Sequence, residues 1–471
     1  MGSKAKAPGK GKIAILPFAR PTFDVAFAEE RLAAMLAALE RAGAELTGPR
    51  SLLLDPGAAR AAVADLSASV PDQVLVLQVT FTDAGMVAEA ARAFSGPLSI
   101  WAVPEPRLGE RLRLNAFCGL NLAAHALGLA QRPFGYLYAD PQAAETDRDL
   151  AALLAGERIA RPEPARPATG GDPRGRQAAL SLRGARIGRI GQHPDGFDTC
   201  AYDEERIAAL AGVHVEELEL NTLFQRAGAA EDKAVETVAA HAQTTLGGLD
   251  RVDQGQLDRS YRLKVALDGL RVDNGYDAFA IRCWPESFTA YGGAVCGPVA
   301  MLGEARVPCA CEADVYGALS SLLLQRVAGA PAFLTDLVDL DAADNSGVVW
   351  HCGQAPLSMA DPDFAPQATI HTNRKMPLLY QFPLKPGRVT FFRISQARGR
   401  TTAVIGGGEM LKRPMAFTGT SGVVRFDTPA AELLDRVMGA ALEHHLALAY
   451  GDHRDALGAA AETLGIPILD L

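Results

Sequence analysis

The chain has 471 residues, with 55 acidic side chains against 46 basic ones and a net charge of −9. That balance argues against a nucleic-acid partner, whose binding face needs clustered Lys and Arg, and no apolar run reaches the roughly 18–20 residues that span a bilayer. Hydrophobic residues make up 48% of the chain and charged ones 21%, enough for packed cores in two to four domains at roughly 150 residues each.

Residues 1–12 are basic and are followed by only a short apolar strand, without the apolar region and cleavage pattern of a signal peptide. They read as a disordered leader. The seven cysteines, Cys118, Cys200, Cys283, Cys296, Cys309, Cys311 and Cys352, lack zinc-ribbon spacing, and without a signal peptide they are expected as reduced thiols in a cytoplasmic protein.

Residues 12–18 predict a buried strand, 27–42 a helix ended by Gly43, 73–80 a second strand and 82–93 a helix. A third strand at 97–103 precedes a helix through 121–129. Near-continuous apolar strands alternating with helices predict a parallel sheet covered on both faces, so residues 13–165 form a first doubly wound, Rossmann- or flavodoxin-like α/β domain. An Arg/Pro/Ala/Gly-rich stretch at 158–175 reads as a linker or exposed loop. A second α/β domain over 176–360 follows, with strands near 185–191 and 277–283 and helices at 204–211 and 231–243. From 361 to 471 the pattern turns β-rich, with strands at 387–394 and 401–405, the latter ending in a Gly406-Gly-Gly408 turn. A long late helix is predicted from 429 to about 450. The expected fold is two parallel-sheet α/β domains followed by a β-rich C-terminal domain with terminal helices.

The glycine clusters do not carry a nucleotide cofactor. Gly184-Ala-Arg-Ile-Gly-Arg-Ile-Gly191 lacks the G-x-G-x-x-G order, and Gly406-Gly-Gly-Glu409 has no following Lys-Ser or Lys-Thr.

The informative stretch is 281–353. Glu312 stands where a short apolar strand meets a helix continuing to Val327, and Asp336 closes the next strand-like segment, 24 residues later (336 − 312 = 24). If those strands are neighbours, both carboxylates face the crevice where α/β sheets bind ligands. His351 ends a third apolar run, and Glu443-His-His445 and His453 add three histidines. Two carboxylates with one or two imidazoles suit a divalent metal such as Mn²⁺. Such an ion polarises a carbonyl while a carboxylate moves a proton between adjacent carbons. Each residue also has a bland reading. Glu312 and Asp314 suit a helix N-terminus, Asp336 an acidic loop with Asp339 and Asp341, His351 a core site between Trp and Cys, and one of His444 and His445 the solvent side of an amphipathic segment.

Arg282-Cys-Trp-Pro-Glu286, Pro308-Cys-Ala-Cys-Glu-Ala-Asp-Val-Tyr-Gly317, Phe333-Leu-Thr-Asp336, Trp350-His-Cys-Gly353, Gly419-Thr-Ser-Gly-Val-Val-Arg-Phe426 and Glu443-His-His445 with Tyr450-Gly-Asp-His453 resemble, in this order, segments of the L-fucose isomerase and L-arabinose isomerase superfamily. The likeness is nearest to the bacterial fucose-isomerase-like proteins. It implies two α/β domains, a β-rich C-terminal domain and a hexameric or trimer-based homo-oligomer. It also implies aldose–ketose isomerisation of a monosaccharide through a cis-enediol, with Mn²⁺ or another divalent metal such as Co²⁺ or Mg²⁺. Carried over by motif, Glu312 and Asp336 bind the metal and serve as the proton-shuttling pair. The C-terminal metal histidine maps onto His445, with His444 as the alternative, lining the pocket where it does not ligate. His351 matches a further metal histidine of arabinose isomerases, or lines the pocket as in fucose isomerases.

Three more side chains are substrate-binding candidates. Arg282 and Trp284, at a strand end, offer a cation and a ring for a sugar face, with core packing the alternative for Trp284. His193 offers a polar pocket group, with a surface Pro-Asp-Gly turn as the alternative. No motif matches the N-terminal third, so the sugar is not specified. An arginine at the pocket also suits an anionic, for instance sulfonated, sugar. Two other readings keep the scaffold: different enediolate chemistry on a modified sugar, or a non-catalytic sugar-binding protein.

Overall fold

The computed structural model describes residues 11–471; the predicted leader, as far as residue 10, lies outside the described residues. The first sheet is parallel and contains β1 (Lys12–Phe18), β2 (Glu45–Thr47), β3 (Gln73–Gln78), β4 (Leu98–Ala102) and β5 (Gly135–Tyr138) in the order β2-β1-β3-β4-β5. Strands β3 and β4 are buried almost throughout, which is why they read as unbroken apolar runs rather than alternating ones. The strand order reverses between β1 and β3, and ligands of such sheets bind beyond the carboxyl ends of the strands at that reversal.

The second sheet is also parallel: β6 (Arg186–Ile190), β7 (His214–Leu218), β8 (Ala278–Ile281) and the two-residue β9 (Cys309–Ala310), in the order β7-β6-β8-β9. The longest helix among the described residues, Gln254–Asn274, packs against one face through Leu263, Leu267 and Leu270, which cluster with Ile190, Phe279 and Ile281. No helix among the described residues is long and apolar enough to cross a membrane.

The third sheet is mixed and β-rich. It contains β10 (Phe333–Asp341), β11 (Ser346–His351), β12 (Gln367–Thr369), β13 (Leu379–Pro383), β14 (Gly387–Ser395), β15 (Thr402–Met410), β16 (Thr420–Phe426), β17 (His445–Tyr450) and β18 (Ile468–Asp470). Their order is β12-β13-β16-β11-β10-β17-β14-β15-β18. The helix Ala116–Leu129 is buried on nearly every side because it touches both β4 and β10, joining the first sheet to the third.

Three local expectations are corrected here. The apolar segments of β10 and β11, expected to extend the second parallel layer, instead pair antiparallel with each other and with β17 and β16. The long late helix stops at Ala440, where Ala441 turns left-handed, and residues 445–450 form a central strand. A short run buried on both faces fits either structure by pattern alone. Gly406-Gly-Gly408 is no turn: β15 runs through it to Met410. Glycine is required there by close approach, since a Cβ on Gly408 would lie 2.8 Å from the Arg425 carbonyl oxygen.

Candidate functional site

The pocket lies where the three sheets meet. Arg20, Phe23 and Phe81 come from the loops after β1 and β3, and Asn115 from the loop after β4. Trp284 follows β8 and Glu312 follows β9, while Asp336 and His351 are contributed by β10 and β11 and His444 directly precedes β17. The first two groups sit at carboxyl ends of parallel strands, as the strand order requires.

Glu312 is presented by strained backbone. Glu312 and Ala313 both adopt left-handed φ, 59° and 54°, a conformation unfavourable for L-residues by about 1–2 kcal/mol each. Strain of this kind gathers at functional sites. The two residues swing the chain from β9 into the helix Val315–Ala328, whose N-cap is Asp314, accepting a 2.8 Å hydrogen bond from the Gly317 amide. Asp314 therefore does act at a helix N-terminus, but it has a second role.

Asp314 Oδ2 accepts from His445 Nδ1 at 2.9 Å and from the Arg393 guanidinium at 2.7 Å. All three side chains are about 1% exposed. Burial raises the Asp314 carboxyl, but the charge of Arg393 and the hydrogen bond from His445 outweigh it and hold the group well below the usual carboxylate range. An ionised carboxylate can only accept, so Nδ1 of His445 carries a proton, and in the neutral ring it is Nε2 that keeps the lone pair. That Nε2 lies 3.8 Å from Glu312 Oε2 and 3.5 Å from Asp336 Oδ1. Asp336 Oδ1 is buried with no hydrogen-bond partner among the described residues. Two carboxylate oxygens and one imidazole nitrogen converge, with the imidazole held from behind by a carboxylate, which is the usual support for a metal-ligating histidine. Two groups among the described residues could hold a metal ion, one of Cys200, Glu312, His444 and His445 and the other of Asp336, His351 and His445, so His445 is common to both.

The other two imidazoles differ. His351 Nδ1 accepts from the Cys352 amide at 2.9 Å, and the Cys352 thiol lies 3.3 Å from the same nitrogen. With Nδ1 accepting, the proton of neutral His351 sits on Nε2, which is buried without a partner. His351 therefore presents a donor rather than a lone pair to the pocket. His444 Nε2 lies 3.0 Å from Glu312 Oε2, and Trp284 Nε1 donates to Glu312 Oε1 at 3.0 Å. Burial opposes the charge on Glu312, but the His444 hydrogen bond and the two nearby imidazoles bring its pKa down to about 2. Burial likewise lowers His444, and its contact with Glu312 overrides that, raising it above 6.5.

The predicted residues are thus divided. Glu312, Asp336, His351, His444, His445 and Trp284 are brought together. Arg282 is not among the lining residues: its guanidinium is held by Glu286 at 2.7 and 2.8 Å and by the carbonyls of Gln192 and His193. His193 is also absent from the lining. Residues that sequence reasoning missed as site groups are Arg20, Asn115, His371 and Arg374 on the wall, with Asp314 and Arg393 behind it. Burial and the charge of Arg374 push His371 down to about 3, so it is neutral. No spacing in the sequence marks these positions: Arg20 and Asn115 follow strands of the first sheet, His371 and Arg374 share the segment between β12 and β13, and Arg393 lies on β14.

Residues 14–161 match the family model "Fucose/sulfoquinovose isomerase, N-terminal domain" and residues 349–471 match "L-fucose isomerase, C-terminal domain". Curated relatives include a sulfoquinovose isomerase of Clostridium sp. (strain MSTE9), 30% identical over 461 residues, covering 96% of this chain and 97% of that protein. Those of Priestia aryabhattai and Alkalicoccus urumqiensis are 29% and 28% identical, covering 93% and 97% of this chain and 94% and 98% of theirs. A solved A1-type ketoreductase aligns at a TM-score of 0.26 with 16% identity, over 66% of this chain and 80% of that one, and contributes nothing to the reading. The matches at both ends, together with near-full-length relatives, show that the chain belongs to the fucose-isomerase-like family of sugar isomerases.

Proposed function

We propose that the chain is an aldose–ketose isomerase acting on a sulfonated hexose through a cis-enediol. The observation that carries this reading is the convergence of Glu312, Asp336 and the lone pair of His445, with the ring of His445 oriented by Asp314. Glu312, Asp336 and His445 would hold a divalent metal such as manganese. When bound, it would polarise the carbonyl and grip neighbouring sugar oxygens.

The chain's own groups do the rest. Asp336 turns Oδ1 toward His445 Nε2, so its other carboxylate oxygen would take the proton from C2 of the open-chain aldose and return it at C1, while the hydroxyl proton on O2 passes to O1. Glu312 already accepts from Trp284 and His444, which fixes its orientation and keeps it ionised. His351 Nε2–H is positioned to donate to a sugar oxygen. Phe23, Phe81 and Trp284 line the wall and supply apolar surface that excludes water from the enediol. A sulfonated substrate is supported by the names of the near-full-length relatives.

The test is direct. Purified protein with Mn²⁺ and 6-deoxy-6-sulfoglucose, followed by ¹³C NMR, is expected to give the C2 hemiketal signals of the ketose, which grow to an equilibrium mixture and are abolished by EDTA. An unchanged spectrum at every metal tried would contradict the proposal.

A further inference from the structure

Trp284 bridges two chemically opposite ends of the pocket. Its indole N–H holds Glu312, while its ring centroid lies 5.7 Å from the guanidinium carbon of Arg20 and 5.6 Å from that of Arg374. Both arginines line the same pocket as Glu312 and Asp336. The acidic floor and the basic wall are therefore separated by about the width of one indole ring.

The two guanidiniums are not equally compensated. Arg20 is paired with Asp83. Arg374 is only partly exposed, and no carboxylate among the described residues pairs with it. Burial lowers its pKa, and the nearby charge of Arg20 lowers it further. On the same segment, Asn373 Oδ1 is buried without a hydrogen-bond partner and, as an acceptor, suits a sugar hydroxyl beside the anion, while Thr22 adds a hydroxyl to this wall. A half-buried cation left beside a like charge is unfavourable unless an anion joins it. A planar guanidinium is suited to paired hydrogen bonds with the oxygens of a tetrahedral oxyanion.

The charges set the valence. Arg20 and Arg374 carry +2 and Asp83 carries −1, leaving about +1 for the ligand. A sulfonate is a monoanion, whereas a phosphate monoester carries about −1.5 to −2 at neutral pH.

We propose that Arg20 and Arg374, flanking Trp284, bind the terminal monoanionic oxyanion of the substrate, a sulfonate at the end of the sugar remote from C1, and so set the preference for anionic over neutral hexoses. This rests on the isomerase reading for the position of C1 and C2, but the anion site itself is defined by the arginines alone.

The test has a catalytic arm and a binding arm. With 6-deoxy-6-sulfoglucose, Arg374→Met and Arg20→Met are expected to raise KM about 30-fold, the effect of losing one or two charge-assisted hydrogen bonds, with kcat reduced less. The kcat/KM preference for the sulfonated sugar over glucose is expected to fall by a similar factor. Arg374→Lys, which keeps the charge but not the fork, is expected to lie between. Calorimetry on the EDTA-treated protein measures binding of 6-deoxy-6-sulfoglucose and glucose 6-phosphate without requiring turnover. The sulfonate is expected to bind more tightly, and Arg374→Met to abolish the difference. Turnover with KM unmoved by both methionine variants would overturn the anion site while leaving the isomerase reading intact. Arg374-dependent sulfonate binding without turnover of any sugar would uphold the anion site and overturn the isomerase reading. Glucose 6-phosphate binding as tightly as the sulfonate would overturn the assignment to a monoanion.

Discussion

Asp314 and His445 are 131 positions apart in the chain, yet a 2.9 Å hydrogen bond joins the Asp314 carboxylate to the His445 ring. Through it, a residue that caps one helix fixes the tautomer of an imidazole on a different sheet. The lone pair of His445 thereby points at Glu312 and Asp336 rather than away from them.

Removing that carboxylate tests both of its roles. Asp314→Asn leaves the buried Arg393 with only Glu443, 3.4 Å away, as a charge partner. Breaking a buried pair in this way destabilises by about 3–5 kcal/mol. The variant is expected to show a lower denaturation midpoint and a 10–100-fold weaker Mn²⁺ affinity, measured by chelator competition.

Metal addition separates the histidines. Mn²⁺ at 100 times its Kd stabilises the native state by about 2.7 kcal/mol, so EDTA treatment is expected to lower Tm. His445→Ala is expected to abolish the Mn²⁺-induced rise. His351→Ala, which loses a donor rather than a ligand, is expected to keep most of it while kcat falls. Loss of the rise in both variants would make His351 a ligand as well.

In metal-free protein the Glu312–His444 pair predicts a two-sided pH dependence. Glu312 is lowered from 4.5 to about 2, so its contribution is present above pH 4.5 and is lost as pH falls toward 2. His444 is raised above 6.5, so its contribution is full below pH 6.5 and fades as pH rises through its folded value. Urea unfolding in EDTA is expected to show greatest stability from this pair between those limits. In His444→Gln the decline above pH 6.5 should flatten.

Gly408→Ala tests the correction to the glycine run. Its Cβ would meet the Arg425 carbonyl oxygen and Val424 Cγ1, both at 2.8 Å. Overpacking of this kind destabilises by about 1–3 kcal/mol, readable as a lower urea midpoint. A variant as stable as the parent would mean that β15 and β16 can move apart without loss.

Much of the fold was legible in the sequence because buried parallel strands and their helices leave unbroken apolar runs, as at β3 and β4. The helix Glu204–Ala211 has the bounds expected for it; in the structure Asp203 caps its start and Gly212 ends it in the left-handed conformation. The longest helix was missed: charged pairs such as Asp258–Arg262 and Lys264–Asp268 on its exposed side dilute its leucine stripe. Runs buried on both faces misled in the other direction, since β10 and β11 have the same apolar character in a parallel or an antiparallel sheet and β17 fits a helix or a strand by pattern alone. At the site, Glu312, Asp336 and the His-His pair stand in recognisable motifs. Arg20, Asp314 in its second role, Arg374 and Arg393 do not, because their meaning lies in contacts between segments far apart in the chain.

Proton exchange in D₂O tests the central claim most directly. Metal-loaded protein would be incubated with 6-deoxy-6-sulfoglucose and its ketose, and the C1 and C2 positions followed by NMR. The account predicts deuterium at C2 of the aldose and C1 of the ketose, abolished by EDTA and reduced at least 100-fold in Asp336→Asn and Glu312→Gln. Interconversion of the two sugars with no deuterium incorporated and with both variants fully active would contradict a proton shuttle at these carboxylates.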